Sequence, residues 1–215
     1  MKKLILPLLL LVAFGMLAAV ESDPSAVVGY VKYPCLLGNN LIGLPMDQAY
    51  TMQYELADDY PGMMNAMSYW DASITPQGWV TASDLGGFWD LDFAIGTETV
   101  LLVNATAGFN LYSIGDLPAA NAAFDLVPGN NTLFVPLNRS DLSDSDLLGA
   151  AIGIVNAQSY WDATISPQGW VTASDLGGFW DITFSTPIGF PVLVNSTGTA
   201  TWPARGATPT LSISK

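Results

Sequence analysis

The sequence predicts a mainly β fold, a β-rich α+β protein built from two tandem homologous modules of antiparallel strands, each with one short helix. Three observations point there. The stretch SYWDASITPQGWVTASDLGGFWD at 68–90 returns as SYWDATISPQGWVTASDLGGFWD at 159–181, with 21 of 23 positions identical and only Ser/Thr exchanges between them. The same offset of 91 carries GNNLIGLPM at Gly38 onto GNNTLFVPL at Gly129, and LVNAT at Leu102 onto LVNST at Leu193. Between Gly38 and Thr106 the copies align without a gap, with 34 of 69 positions identical, so the repeating unit is a module of about ninety residues. Turn residues and short apolar runs then recur at the spacing of strands.

Each element follows in order. GNNLIGLPM and GNNTLFVPL open on turn residues and pass into an apolar strand that Pro45 or Pro136 ends. A helix comes next. In the second copy Ser140 or Ser143 is the expected cap, with Asp141, Asp144 and Asp146 near the positive end. Leu147, Leu148, Ala151 and Ile152 supply its apolar stripe. The first-copy counterpart carries Tyr50, Tyr54, Leu56, Ala57 and Tyr60, and Pro61 stops it. AMSYWDA and WVTAS read as two strands of a hairpin around ITPQG, where Pro76 suits a turn and Gly78 a left-handed position. DLGGFWD is a loop bent at paired glycines, and VLLVN or PVLVN closes the module as a buried strand. GFNLYSIG adds a further strand in the first copy; the second continues with TATWPARG and then a thin Ser/Thr/Pro tail that reads as less ordered. AFDLVPGNN aligns with YPCLLGNN and is expected to open the second module, so the two modules are close-coupled.

The expected divisions are a signal peptide over 1–20, a first module over 28–118, a second over 119–206 and a tail over 207–215. The leader reading rests on Lys2 and Lys3 followed by an apolar run from Leu4 to Val20. It implies an exported protein that is extracellular, at the cell surface or periplasmic, with no membrane association after cleavage. Cys35 is the only cysteine, so no internal disulfide and no thiolate metal cluster can form. The formal charge of −13 deepens to −15 without Lys2 and Lys3. Such a chain offers no electrostatic footprint for nucleic acid or anionic lipid.

Six of the seven tryptophans lie in the repeated block. Trp70 and Trp79 fall on neighbouring strands and are expected to stack across the hairpin and close the core of their module. A second use of the block is a carbohydrate platform, because an exposed indole covers the flat face of a sugar while polar neighbours take its hydroxyls. The candidate ligand-binding residues are Trp89, Asp84, Asp90 and Gln77, with Trp180, Asp175, Asp181 and Gln168 in the second copy. Two copies would make such binding bivalent. A calcium loop is the weaker reading of the paired aspartates, since acids at both ends of a tight loop also cap its N–H groups. The chain has no histidine, no phosphate loop and no dinucleotide fingerprint, so no catalytic residue, cofactor or metal site is expected.

The series GNNLIGLPM, YWDA, GW, GFWD, LVN resembles the tandem modules of uncharacterised exported surface proteins of anaerobic bacteria, with a G-x-N-L-I-x-x-P-L strand followed by W-D-A and a second Trp. The second copy departs from that pattern at Thr132 and Phe134. The resemblance implies a noncatalytic extracellular module. The expected role is a structural or adhesive surface protein, in contact with other cell-surface proteins or with itself. The alternative is a bivalent carbohydrate-binding protein.

Overall fold

A computed structural model of the chain describes residues 28–205. The expected leader at 1–20 and tail at 207–215 lie outside the described residues. Among the described residues twelve strands and two helices follow in two matching series. The first comprises β1 (Val28–Cys35), β2 (Gly38–Gly43), α1 (Gln53–Asp58), β3 (Met64–Asp71), β4 (Gly78–Ser83), β5 (Val100–Ala105) and β6 (Phe109–Asp116). The second comprises β7 (Phe124–Leu126), β8 (Gly129–Phe134), α2 (Ser145–Ile152), β9 (Val155–Asp162), β10 (Gly169–Ser174), β11 (Pro191–Ser196) and β12 (Ala200–Trp202).

Each module holds a four-stranded antiparallel sheet, in the order β2-β5-β3-β4 or β8-β11-β9-β10, and a two-stranded ribbon, β1-β6 or β7-β12. The closing strand of the sequence reading is therefore a central strand. VLLV reads as a continuous apolar run because both faces of β5 are covered. Leu101 and Val103 point into a core with Tyr33, Ile42, Leu56 and Met67, whereas Val100 and Leu102 pack with the second module. The same alternation in β2 sends Ile42 inward and Leu41 outward to the second core. The two sheets thus meet through their outer faces. One register irregularity sits at the same place in each sheet, beside Met64 and Ala66 in one and Asn195 and Ser196 in the other.

Within TATWPARG the Ala200–Trp202 segment pairs with β7, and Trp202 is buried. Three details differ from the sequence reading. The cap of α2 is Asp144, whose carboxylate accepts from the Leu147 N–H at 3.0 Å, while Ser140 and Ser143 lie upstream of it. Asp at this position suits the cap because the short carboxylate reaches the free amides and faces the positive end of the helix. Gly78 is not left-handed; the residues that are include the loop pair Gly86 and Gly87, with φ of 88° and 109°.

The helices carry the third difference. Gln53 donates its N–H to the Phe93 carbonyl oxygen, and Ser145 donates to that of Phe184. Phe93 and Phe184 are 91 apart, but Gln53 and Ser145 are 92 apart. Across the helix the copies are therefore shifted by one residue, which places Leu56 with Leu148 and Ala57 with Gly149. The gapless alignment conceals two compensating one-residue length changes.

Candidate functional site: the glycine-bend loops and the joint between modules

After β4 the chain turns through DLGGFWD. The Asp84 carboxylate accepts from the N–H groups of Gly86 and Gly87 at 2.9 and 2.8 Å, and Leu85 N–H donates to the Phe88 carbonyl oxygen at 2.8 Å. The Asp90 carboxylate accepts from Ser83 N–H at 2.7 Å. The second copy repeats this with Asp175 on Gly177 and Gly178 at 2.9 and 2.8 Å, and Asp181 on Ser174 at 2.7 Å. Positive φ at both glycines is sterically easy only without a Cβ. These four aspartates are thus engaged in shaping the loops. Capping is the same chemistry that makes Asp common in turns.

The bend turns the tryptophan in and its neighbour out. Trp89 is half-buried against the first core and Trp180 against the second. Phe88 and Phe179 are each 62 % exposed, and Leu85 and Leu176 each 56 %. The rings held toward solvent are therefore phenylalanines. Sequence reasoning passed over them because Trp is the stronger aromatic signal; the flanking glycines were the available clue.

Gln77 and Gln168 have a different employment. Gln77 Oε1 accepts from Asn130 N–H at 2.8 Å and its Nε2 donates to the Pro128 carbonyl oxygen at 3.1 Å. Gln168 Oε1 accepts from Asn39 N–H at 2.9 Å and its Nε2 donates to the Leu37 carbonyl oxygen at 2.8 Å. Each glutamine clamps the other module, and the two clamps are related by exchange of modules. Gly38 and Gly129 make room for them: a Cβ there would lie 2.5 or 2.4 Å from the clamping oxygen, and both have positive φ. The loop groups Trp89, Asp84 and Asp90 stay close together, and so do Trp180, Asp175 and Asp181, but the glutamines do not join them.

Between the clamps runs a ladder of four indoles. Trp70 meets Trp79 edge-on at 5.5 Å, Trp79 stacks on Trp170 at 6.4 Å with a 19° tilt, and Trp170 meets Trp161 edge-on at 5.3 Å. The expected hairpin contact is present, but these rings seal the joint between modules instead of closing separate interiors. Equivalent positions face each other across a pseudo-two-fold axis, as in an isologous interface. Gly43 and Phe134 show the consequence. A Cβ on Gly43 would lie 2.9 Å from the Phe134 ring, so the two equivalent positions share one space that one large side chain fills.

Two clefts remain. One, of about 500 Å3, lies between α1 and the first glycine-bend loop, bordered by Tyr54, Asp58, Tyr60, Asp84, Trp89 and Asp92. The other, of about 420 Å3, lies between modules. Burial pushes the Cys35 thiol up to about 11, so it is a poor nucleophile. Among the described residues no group of three or more acids or cysteines is placed to hold a metal ion. No described helix is long and apolar enough to cross a membrane. Compared with known proteins, the chain matches no family model, no curated protein and no solved structure.

Proposed function

We propose that this is a noncatalytic exported structural or adhesive surface protein that contacts other surface proteins, or further copies of itself, through its two glycine-bend loops. The observation that carries the reading is the repetition of one costly arrangement. Leu85 with Phe88, and Leu176 with Phe179, are held toward solvent to the same extent by the same aspartate-capped, positive-φ bend. Exposed apolar side chains gain when a partner covers them, by about 25 cal/mol for each Å2 removed from water. A pair of such tips makes attachment bivalent. The resemblance to tandem surface modules and the leader-like start agree with this role.

The test is attachment of the purified protein to cells of its own source and to itself, by surface binding and sedimentation velocity. The double variant Phe88→Ser, Phe179→Ser is expected to lose at least about tenfold in apparent affinity. Undiminished attachment by the folded double variant would refute the role of the tips.

A second reading, glycan binding, rests on the aromatic and acidic cleft beside Trp89. The corresponding space in the second module is occupied, since the Trp180 ring lies against Gly149. Sugar binding would then be monovalent, and Trp89→Ala alone would abolish signal on a glycan array while Trp180→Ala would leave it.

A further inference from the structure

A shallow groove of about 580 Å3 lies on the outer face of the second four-stranded sheet, beside the joint. Strand alternation builds it, because every second residue points to the same face. Asn130 on β8, Asn195 on β11 and Ala157 on β9 stand side by side in one row, and Leu193, Ser159 and Thr172 in the next. Trp170 borders the groove toward the joint. Asn156 and Asp175, joined by a backbone hydrogen bond of 2.9 Å, stand at the opposite end. Ala157, Leu193 and Trp170 give the groove its apolar surface, and every other lining residue is polar.

These polar groups are held in place by one another and keep capacity to spare. Asn195 Nδ2 donates to Asn130 Oδ1 at 2.8 Å. Among the described residues nothing else bonds the Asn195 oxygen or the Asn130 amide, and neither atom is buried. The Ser159 and Thr172 hydroxyls lie 2.8 Å apart, so one donates to the other and one hydroxyl hydrogen is left for an outside acceptor. Asp175 uses Oδ1 for the N–H groups of Gly177 and Gly178, which leaves Oδ2 as an acceptor. Asn156 and Thr172 are exposed. Donors and acceptors thus alternate around an apolar patch. No lysine or arginine lines the groove, and its one charged group is Asp175.

The first module carries the same nine residues at the equivalent positions, from Asn39 for Asn130 to Asn104 for Asn195. Its hydrogen bonds match as well: Asn104 Nδ2 donates to Asn39 Oδ1 at 2.6 Å, and the Ser68 and Thr81 hydroxyls lie 2.8 Å apart. Outside 68–90 only 13 of the 46 aligned positions are identical, yet all five groove positions there are. Packing does not require this at exposed Asn65 and Asn156. The cleft beside Trp89 has no such match, since Met64 becomes Val155 and Asp92 becomes Thr183. We infer that this groove, with its counterpart in the first module, binds neutral saccharide units. A sugar ring offers C–H groups to the apolar patch and hydroxyls that both donate and accept, as the carboxamides and hydroxyls of the groove do. Anionic sugars are disfavoured by Asp175 and by the net charge of −13. The site is separate from the exposed loop tips and from the cleft beside Trp89, and depends on neither reading.

The test is a glycan array carrying neutral hexose and N-acetylhexosamine oligosaccharides beside sialylated, sulfated and uronic-acid ones, probed with the whole protein. Retention on neutral saccharides is expected. Thr81→Tyr and Thr172→Tyr each lay a ring across one groove from an exposed strand position that suits an aromatic residue. Either one alone is expected to weaken retention at least about tenfold by removing bivalence, and the two together to abolish it. If the double variant does not fold, Asn65→Ala with Asn156→Ala serves, because neither side chain makes a hydrogen bond within the described residues. Trp89→Ala, and Phe88→Ser with Phe179→Ser, are expected to keep full retention, which separates this site from the other cleft and from the tips. The inference is overturned if no neutral saccharide is retained, if anionic saccharides are retained as well as neutral ones, or if retention survives in a folded double groove variant. Complete loss in one single variant with none in the other would overturn the pairing of the grooves.

Discussion

In the first module Ala57 stands where the second has Gly149, and a cleft of about 500 Å3 opens beside Trp89. In the second, the Trp180 ring lies so near Gly149 that a Cβ there would be 2.3 Å from it. One methyl group on a helix separates a ring beside an open cleft from a ring locked into packing. The glycine-bend loops that carry those two tryptophans are the same to within a tenth of an ångström in their aspartate bonds. Near-identical sequence therefore sets the local loop, while a divergent neighbour decides what the loop encloses. The same lesson holds at the axis, where Gly43 and Phe134 share one space.

The strongest challenge to this contrast is at Phe134, which is fully buried. Phe134→Ala is expected to cost about 3–5 kcal/mol in urea unfolding, because it leaves a cavity at the joint. Gly43→Phe should also destabilise, by crowding. If one shared space governs both, the reciprocal exchange Gly43→Phe with Phe134→Gly should be less destabilised than the sum of its parts by at least about 1 kcal/mol. Strict additivity would separate the two sites.

Gly149→Ala comes next. It gives the second module the residue of the first, and is expected to cost about 1–3 kcal/mol by overpacking against Trp180 and Gln158. An accompanying red shift and greater quenching of Trp180 fluorescence would show the ring released. The exposed Asp58→Ala on α1 is expected to change stability by less than about 0.5 kcal/mol.

The clamps should behave as equals. Gln77→Ala and Gln168→Ala each remove two hydrogen bonds to the partner module, and each is expected to cost about 1–2 kcal/mol. A marked inequality between them would mean that the pseudo-symmetry is geometric only.

The smallest effect concerns acid. The Ser73 hydroxyl and N–H hold the Asp71 carboxyl below the usual range, and the Thr164 hydroxyl and N–H do the same for Asp162. Folded-state values below the unfolded ones stabilise the protein above about pH 4, and that contribution is lost as pH falls through the folded values. Asp71→Asn and Asp162→Asn should flatten the acid limb of a stability-against-pH curve equally. Glu55→Gln should flatten it through the first module alone, where the N–H groups of Thr51 and Met52 lower the Glu55 carboxyl.

Much of the architecture was legible. The hairpin of β3 and β4, the paired-glycine loop and the strand VLLVN are each local patterns, set by turn chemistry and alternation. The helix offset was not legible, because almost no identities survive there to reveal two cancelling length changes. Of the candidate site, the capping use of Asp84 and Asp90 follows from loop chemistry, but the roles of Gln77 and Gln168 do not. Their partners lie 53 and 129 residues away, in a module whose orientation no local pattern specifies.

The chain by itself determined the repeat, the strand-rich class, the glycine bends and the capping acids, since each depends on residues near one another along the backbone. Tertiary structure alone decided that the indoles line the joint, that phenylalanines face outward and that one cleft opened beside Trp89 in the first module. Those outcomes depend on which outer face each sheet presents to the other, and on side-chain volumes meeting across the pseudo-axis. Neither is encoded in any short segment.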